Sequence, residues 1–342
     1  MLSINTAQVA LVIGASRGIG RQIAIDLAKE GYAVVVAAKS TTTEPELARL
    51  SPFPPDPNSP QSTITTVARE ITLAGGEATA IPVDTTNYSS IQQLVAKTIQ
   101  ATTLGSSQTS NQYTHITTTQ AYSRLDVLVY NSGAIWWGPV ATTPMKRFQL
   151  MQRVNVEGLY GAVQEALPHL KEEGASGTEG GRRRRIIVVC PPIYSRFFRG
   201  KTAYAVGKVG MSVLVKGLGM DFAREGVMEK GLAIGGLWPA VAIESAATGQ
   251  FTRKDPSFAR DLRKPTIFSD AVLAMLKAPV AVVNGQLELD EDFLRKQVGV
   301  TDFSKYAVVP GSEPRRIMPV ELPDLSVKEQ DDEGMRADSS KL

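Results

Sequence analysis

The feature that most constrains the fold of this chain is a glycine-rich turn close to its start. A short apolar run over residues 9–13 ends at Gly14, and the turn over residues 14–20 leads into a helix-like segment that stops at Gly31. A second β-branched run follows over residues 32–38. A strand, a turn, a helix and a strand in this order form a βαβ unit, which requires a parallel sheet.

Short apolar runs and helical segments continue to alternate along the rest of the chain. Further strands are predicted at 78–83, 125–130, 186–189, 232–237 and 286–290. Helices are predicted at 63–74, 89–102, 144–173, 202–225 and 271–276, with a loop-and-helix segment at 245–265. We therefore expect an α/β fold with a Rossmann-type, doubly wound parallel sheet in a single domain.

Polar stretches interrupt this alternation at three places. They predict surface insertions at about residues 41–62, 103–123 and 174–184. The run of four arginines at 182–185 is interpreted as part of a solvated loop, with a contact to an anionic substrate as the alternative.

The C-terminal part of the chain carries two signals. After about residue 309 it turns to Pro, Asp, Glu and Ser, so we expect one domain over residues 1–309 and a disordered tail over 310–342. The last three residues, 340–342, read Ser-Lys-Leu, which is a peroxisomal address read by an import receptor. This predicts a peroxisomal location, and the alternative is a polar tail that ends this way by chance.

Composition excludes several classes of protein. Of the 342 residues, 43% are hydrophobic and 21% are charged, as in a globular domain, and the net charge of +3 is too weak to indicate nucleic-acid binding. One cysteine, Cys190, and two histidines argue against a disulfide framework and a metal site. The longest apolar run, residues 232–243, is too short to span a membrane.

The glycine-rich turn is the first candidate for ligand binding. Its three glycines, Gly14, Gly18 and Gly20, have the spacing G-x-x-x-G-x-G. Glycines let the backbone approach a pyrophosphate, and the helix N-terminus offers unpaired N–H groups and a positive dipole end. The turn therefore predicts a dinucleotide site, with a tight turn that binds nothing as the alternative.

A second candidate lies on the long predicted helix at 202–225. Tyr204 and Lys208 are four residues apart, which puts them on one helix face. An ammonium near a phenol stabilises the phenolate and lowers the pKa of the tyrosine, so Tyr204 could exchange a proton near neutral pH. The alternative is an exposed pair on a helix.

Together the two motifs resemble the short-chain dehydrogenase/reductase family over roughly residues 8–300. Further matches are Asn131-Ser132-Gly133-Ala134 after the fourth strand, Asn155 in V-N-V-E-G, and Trp238-Pro239 after the sixth strand. The segments G-A-S-R-G-I-G, A-A-K-S, C-P-P-I-Y and L-W-P-A-V-A-I are similar to the hydroxysteroid dehydrogenase-like protein 2 branch of that family.

The resemblance implies a role for each matching residue. Tyr204 would exchange a proton with the substrate, Lys208 would hold the nicotinamide ribose and lower the Tyr204 pKa, and Asn155 would hold a water molecule linked to Lys208. A nicotinamide cofactor would supply the hydride. Cofactor contacts are implied for Gly14, Ser16, Arg17, Gly18, Ile19, Gly20, Asp84, Asn131, Tyr204, Lys208, Pro239 and Ile243.

The chain departs from the family pattern at two positions. Pro191 stands where the family has a catalytic serine, and proline has no side-chain donor to orient a substrate. Ser195 is a candidate substitute, with an ordinary loop residue as the alternative, and Cys190 is interpreted as a small buried hydrophobic residue. Ser132 replaces the second Asn of N-N-A-G and is expected to alter anchoring without abolishing binding.

Charge at the end of the second strand bears on the choice of cofactor. NAD enzymes place an acid there to bind the ribose 2′-hydroxyl, but this chain has Lys39 and no acid. Lys39 and Arg17 suit a 2′-phosphate, so the sequence favours NADP. The alternative is that Lys39 is an ordinary solvated lysine.

These observations predict an NADP(H)-dependent oxidoreductase that interconverts a carbonyl and an alcohol on a lipid-derived small molecule. A binding protein with little or no turnover is the alternative, because of Pro191. A dienoyl-CoA reductase is disfavoured, since that group generally lacks the tyrosine that Tyr204 supplies. The resemblance also implies a homo-oligomer, and Trp136 and Trp137 could line an apolar substrate pocket or pack in a core or interface.

Overall fold

A computed structural model describes residues 7–100, 124–172, 183–194 and 198–324. The sheet in this part of the chain is parallel throughout and has the order β3-β2-β1-β4-β5-β6-β7. Its strands are β1 (Val9–Ile13), β2 (Ala33–Ala38), β3 (Glu77–Pro82), β4 (Val127–Tyr130), β5 (Arg184–Val189), β6 (Leu232–Trp238) and β7 (Gln286–Leu289). The predicted doubly wound α/β fold is confirmed.

Helices cover both faces of the sheet. They are α1 (Gly18–Lys29), α2 (Glu44–Arg49), α3 (Ile64–Leu73), α4 (Tyr88–Ile99), α5 (Met145–Gln152), α6 (Gly158–Lys171), α7 (Thr202–Arg224), α8 (Gly249–Lys254), α9 (Thr266–Lys277), α10 (Val280–Val283) and α11 (Asp290–Phe293). In β1, Ala10 and Val12 pack with α1, α3 and α9, whereas Leu11 and Ile13 pack with α4, α6 and α7. Strands buried on both faces explain why these runs are almost entirely apolar.

The topology determines where a ligand can bind. Strand β1 lies between β2 and β4, so the strand order reverses direction between β1 and β4. Such a switch point leaves a crevice at the carboxyl ends of the strands. The glycine-rich turn follows β1 and the Asn131 segment follows β4, so both lie at this crevice.

Two arginines of the predicted solvated loop are instead part of β5, and that interpretation was wrong. Arg184 and Arg185 are 4% and 1% exposed. Their guanidinium groups donate to backbone carbonyls, Arg184 to Lys230 O at 2.8 Å and Arg185 to Ala278 O at 2.8 Å. Because they lie at the amino end of β5, opposite the crevice, they serve the packing of the sheet rather than a substrate.

The packed part of the chain extends beyond the predicted domain end at residue 309. Arg316 donates to both carboxylate oxygens of Asp292, at 2.9 and 2.8 Å. Ile317 N–H donates to Ala240 O at 2.9 Å, and Met318 is 4% exposed. The predicted boundary is therefore too early, because these contacts bind residues 316–318 to the domain.

The remaining insertion and tail predictions fall partly outside the described residues. This holds for the predicted insertion at 103–123, for most of that at 174–184, and for the tail from residue 325. The insertion at 41–62 is described and contains α2. No helix in the described ranges is long and apolar enough to cross a membrane.

Candidate active site at the carboxyl edge of the sheet

The glycine-rich turn packs tightly against the segment that follows β4. A Cβ on Gly14, which has φ +88°, would lie 2.6 Å from Ser132 N, and one on Gly20 would lie 2.2 Å from Gly14 O. The Asn131 side chain closes the contact by donating from Nδ2 to Gly14 O at 2.8 Å. Two of the three glycines are thus required by the protein's own backbone, and Asn131 positions the turn.

The third glycine leaves room for a ligand. A Cβ on Gly18, which has φ +55°, would meet its nearest neighbours, Asn58 Oδ1 and Ser245 Cβ, only at 3.8 Å. Gly18 is the first residue of α1, where N–H groups have no partners within the helix. The open space, the neighbouring Arg17 and the N–H groups of this turn other than that of Gly18, which donates to Pro57 O, fit a pyrophosphate.

The insertion at 41–62 contacts this turn directly. Gly18 N–H donates to Pro57 O at 3.0 Å, and Ser62 Oγ donates to Ser16 O at 2.7 Å. The composition of this insertion predicts an irregular surface segment and does not indicate its place at the site. A contact between a proline carbonyl and a distant helix start leaves no recognisable pattern in a sequence.

A cavity of about 230 Å³, here called the turn cavity, runs from the turn to the long helix α7. Its walls bring together the predicted residues Arg17, Gly18, Ile19, Asn131, Tyr204, Lys208 and Pro239. The fold thus brings to one cavity residues that are far apart in sequence, since Arg17 and Pro239 are separated by 222 positions. The predicted residues Gly14, Ser16, Gly20, Lys39, Asp84 and Asn155 are not among its lining residues.

Tyr204 and Lys208 are both buried, at 4% and 3% exposure, so the alternative of an exposed helix pair is wrong. Burial raises the pKa of Tyr204, which is opposite to the lowering expected from Lys208. The Lys208 ammonium donates instead to Val189 O at 2.8 Å. Burial lowers the pKa of Lys208 to about 8. In this structure Tyr204 is therefore a protonated phenol at neutral pH.

The Asn155 side chain binds the segment that follows β4. Asn155 lies in a π-helical turn, Arg153–Glu157, that divides the predicted helix at 144–173. Its Oδ1 accepts from Ala134 N–H at 2.9 Å and its Nδ2 donates to Ala134 O at 3.2 Å. The side chain thus positions the wall that carries Gly133, and its role toward a water molecule stays a prediction.

The position of the missing serine, Pro191, is not among the lining residues of the turn cavity. Pro191 is buried, and its carbonyl accepts from Ser212 Oγ at 2.6 Å. Cys190 is fully buried, which raises the pKa of its thiol to about 12 and confirms its interpretation as a hydrophobic residue. Ser195, the candidate substitute, lies outside the described residues.

Lys39 is paired with a carboxylate. Its Nζ lies 2.7 Å from Asp84 Oδ2, and hydrogen bonds from Lys39 and Thr86 lower the pKa of Asp84 to about 2. The prediction that no acid opposes Lys39 was therefore wrong, since an acid from the end of β3 reaches it. Arg17 remains as the cation at the turn.

A second cavity of about 280 Å³, here called the tryptophan cavity, adjoins the first. Tyr204 and Trp238 line both cavities, so Tyr204 lies where they meet. The other walls of the tryptophan cavity include Ile135, Trp137, Tyr194, Lys201, Ile243, Ile317 and Met318. The sequence indicated Trp137 and Ile243 as site residues. It gave no signal for Tyr194, Lys201, Ile317 and Met318.

The two neighbouring tryptophans have different surroundings. Trp137 lines the tryptophan cavity and stacks on Phe251, with ring centroids 5.4 Å apart. Trp136 packs in a small cluster with Met151 and Tyr204. Of the two predicted alternatives, the pocket wall therefore applies to Trp137 and the packed aromatic to Trp136.

Larger hollows lie away from this edge. One of about 490 Å³ is lined by α9 and by charged surface residues such as Glu30 and Lys305. It contains none of the predicted site residues, whereas the two smaller cavities converge on Tyr204. The carboxyl edge is therefore the candidate active site.

The chain is similar to known proteins over most of its length. The model of the short chain dehydrogenase family matches residues 8–50 and 58–248, with a gap inside the insertion at 41–62. Hydroxysteroid dehydrogenase-like protein 2 of Danio rerio is 31% identical over 313 residues, and that of Homo sapiens is 30% identical over 313 residues. Each alignment covers 90% of this chain but 63% of the relative, so the chain spans less than two thirds of their length.

Solved structures have the same fold. A putative dehydrogenase from Xanthomonas campestris is 31% identical with a TM-score of 0.69, covering 94% of this chain and 98% of that one. Actinorhodin polyketide ketoreductase with NADPH has a TM-score of 0.59 at 20% identity, over 83% of this chain and 96% of that one. A 7α-hydroxysteroid dehydrogenase with NADH and 7-oxo glycochenodeoxycholic acid has a TM-score of 0.57 at 22% identity, over 84% and 96%. The chain thus shares its fold with two proteins whose structures contain NADPH or NADH.

Proposed function

Because the chain belongs to the short-chain dehydrogenase family, we propose that it is an NADP(H)-dependent oxidoreductase that interconverts a carbonyl and an alcohol. The observation that carries this proposal is the place of Tyr204. Its phenol is buried where the turn cavity meets the tryptophan cavity, with Lys208 one helical turn away on α7. One side chain can thus exchange a proton with a substrate held beside a cofactor.

The turn cavity supplies the contacts for a nicotinamide cofactor. The start of α1 and Arg17 would hold the phosphates, and Lys208 would hold the ribose next to the nicotinamide. When bound, the cofactor supplies or accepts the hydride. Pro239 and the segment at 245–247 also line this cavity and would keep water away from the ring.

The raised pKa of Tyr204 keeps the phenol in the protonated form that donates to a carbonyl oxygen, and it also makes the phenol a weaker acid. A buried phenol keeps its proton at neutral pH, so it can protonate a developing alkoxide. The reverse reaction needs the phenolate. Oxidation of an alcohol is therefore expected to gain from rising pH more than reduction does.

The substrate in this proposal is lipid-derived. The tryptophan cavity is lined mainly by apolar side chains, among them Ile135, Trp137, Ile317 and Met318. An apolar lining with few polar groups favours an apolar ligand body. The preference for NADP(H) rests on Arg17, which can meet a 2′-phosphate.

The second candidate, a binding protein with weak turnover, is favoured by Pro191. Proline has neither a backbone N–H nor a side-chain donor, so residue 191 offers no hydrogen-bond donor to a substrate, and its carbonyl already accepts from Ser212 Oγ. A screen of purified protein for NADPH consumption against medium- and long-chain aldehydes and ketones decides between the two. The oxidoreductase proposal expects turnover of at least one compound, with Tyr204→Phe as the blank. NADPH binding without any turnover would support the binding protein.

The location and the assembly are also proposals. The residues at 340–342 lie outside the described part of the chain, so the peroxisomal address and its receptor stay predictions. Removing these residues from a fluorescently tagged chain should leave it in the cytosol.

A homo-oligomer is supported by an exposed apolar stripe on α7, where Val206, Val213 and Met220 are 51%, 58% and 48% exposed and seven residues apart. Val213→Glu should then shift the molar mass measured by light scattering toward the monomer.

A further inference from the structure

Large apolar side chains are exposed in the segment that follows β4. In the described part of the chain fourteen large hydrophobic side chains are exposed, and five of them lie within residues 135–150. These five are Ile135, Trp137, Val140, Met145 and Leu150, which are between 41% and 68% exposed. Residues 135–153 are here called the rim surface. A concentration of exposed apolar side chains indicates a surface that contacts a partner or a membrane.

The charges of the rim surface all have one sign. Lys146, Arg147 and Arg153 are exposed, and residues 127–156 contain no Asp or Glu, although 34 of the chain's 342 residues are acidic. The three cations line a hollow of about 460 Å³, and no carboxylate is among the described residues of its wall. The rim surface therefore combines apolar side chains with an excess of positive charge.

The rim surface adjoins the tryptophan cavity. Ile135 and Trp137 line that cavity and are also 45% and 42% exposed, so they form an edge between the cavity and solvent. The Arg147 guanidinium lies 4.8 Å from the centroid of the Trp136 ring, which joins helix α5 to this edge. A ligand that enters the cavity over Ile135 and Trp137 therefore crosses the rim surface.

We propose that the rim surface docks on an anionic lipid bilayer. Lysine and arginine beside exposed aromatic and aliphatic side chains are typical of surfaces that lie in the membrane interface. The three cations would face anionic headgroups, and Trp137 would lie at headgroup level. A second copy of the chain suits this surface less well, because a two-fold contact would bring Lys146 and Arg153 against like charges.

This inference goes beyond the proposed function, since docking on a bilayer needs neither cofactor nor turnover. It gives the tryptophan cavity a source of ligand. Apolar molecules concentrate in a bilayer, and an edge formed by Ile135 and Trp137 would let them pass into the cavity without crossing water.

Vesicle binding tests the proposal. The probes are vesicles of phosphatidylcholine alone and vesicles of phosphatidylcholine and phosphatidylserine in a ratio of about 7:3, and sedimentation measures the bound fraction. The test variant carries Lys146→Gln and Arg153→Gln. Its matched control carries Lys97→Gln and Lys216→Gln, which remove two exposed cations from α4 and α7 and leave the same net charge.

We expect the unaltered protein to bind the phosphatidylserine vesicles more tightly than the neutral ones. The test variant should bind them roughly 25-fold more weakly, about fivefold for each lost charge, and the control variant should change by less than about twofold. Added salt should weaken the binding of the unaltered protein, because it screens the attraction between the cations and the headgroups.

A second measurement locates the contact. Phosphatidylcholine with brominated acyl chains quenches the fluorescence of a tryptophan that reaches the bilayer. Of the three tryptophans Trp137 is the exposed one, whereas Trp136 and Trp238 are half-buried. We expect quenching in the unaltered protein on phosphatidylserine vesicles and its loss in Trp137→Phe, which keeps an aromatic ring for docking.

Four results would overturn the proposal. They are absent or equal binding to the two kinds of vesicle, an equal loss in the test and control variants, and quenching that persists in Trp137→Phe. The fourth is a lower molar mass of the test variant in light scattering without vesicles, which would assign the rim surface to a contact between copies. Failure of the proposed function shows differently, as absent NADPH binding or absent turnover.

Discussion

The turn cavity and the tryptophan cavity meet at Tyr204 but are built in different ways. The turn cavity depends on backbone contacts between two adjacent loops, where Gly14 and Gly20 leave no space for a Cβ. The tryptophan cavity depends on side chains from four distant segments, near Trp137, Lys201, Ile243 and Ile317. The first construction tolerates almost no change in sequence. The second depends on side chains from separate segments, which can change one at a time.

The largest expected effect is on the turn cavity. Gly14→Ala places a Cβ 2.6 Å from Ser132 N, so the turn must move and the free energy of unfolding should fall by more than about 3 kcal/mol. Gly31→Ala is the matched control, because Gly31 has a similar φ of +89° but no atom within 4 Å of the added Cβ. It should cost only about 1–2 kcal/mol, the strain of a left-handed residue. Denaturant titrations of both variants measure the difference, and equal losses would show that close packing of the turn is not the cause.

A smaller, pH-dependent effect is expected beside the tryptophan cavity. Burial raises the pKa of Asp290 from 3.8 to about 7, although its Oδ1 accepts from Ala240 N–H at 2.8 Å. A carboxyl whose pKa is raised on folding favours the folded state when protonated, so this stability is lost as the pH rises from about 4 to 7.

The variant Asp290→Asn keeps the acceptor and removes the titration. It should flatten the dependence of Tm on pH between about 4 and 7 and raise stability at pH 7 by an amount on the order of 2 kcal/mol. Melting curves across this range provide the measurement. A variant with the same slope as the unaltered protein would place the titration elsewhere.

Ile317 and Met318 form the C-terminal wall of the tryptophan cavity. A change that loosens this wall tests whether the two cavities bind their ligands independently. Arg316 holds this wall through Asp292, at 2.8 Å, and through Glu291, at 3.3 Å. Arg316→Met should loosen Ile317 and Met318, cost about 1–2 kcal/mol of stability and raise KM for the substrate several-fold. NADPH affinity should stay the same, because no residue from 316–318 lines the turn cavity. A parallel loss of NADPH binding would mean that the two cavities are not independent.

The smallest expected effect concerns the choice of cofactor. Lys39 and Asp84 form an exposed ion pair, which contributes less than about 1 kcal/mol. Asp84→Asn frees the Lys39 charge and should shift the ratio of NADPH to NADH affinity toward NADPH by a few-fold, whereas Lys39→Asp should shift it toward NADH. Titration of both cofactors tests this, and equal or tighter NADH binding by the unaltered protein would contradict the preference for NADP.

The difference between the cavities also explains what could be predicted from the sequence. The strands, the turn and the pair Tyr204 and Lys208 are local patterns, so their spacing was sufficient to predict them. The residues of the tryptophan cavity, such as Tyr194 and Met318, meet only through the tertiary fold and carry no local pattern. The two wrong predictions about charged residues have the same cause. Lys39 pairs with Asp84, which follows β3, and Arg185 is buried in β5, where it donates to the carbonyl of Ala278.

The direction in which the fold shifts the pKa of Tyr204 could not be predicted from the sequence either. Spacing on a helix suggested that Lys208 acts on the phenol, but the ammonium reaches Val189 O instead. Burial then dominates, because Tyr204 is 4% exposed. Sequence spacing identifies which groups are neighbours, and the direction of a pKa shift depends on solvent access and on the remaining hydrogen bonds.

In the proposed function, Tyr204 acts on the substrate's proton at the junction of the two cavities. The most direct test compares NADPH affinity with turnover in Tyr204→Phe, using a carbonyl compound that the unaltered protein reduces. Because the phenol hydroxyl is removed and the ring kept, we predict NADPH affinity within about twofold of the unaltered protein and turnover lower by about 10²–10⁴-fold. Unchanged turnover, or an equal loss of cofactor binding and turnover, would contradict the claim.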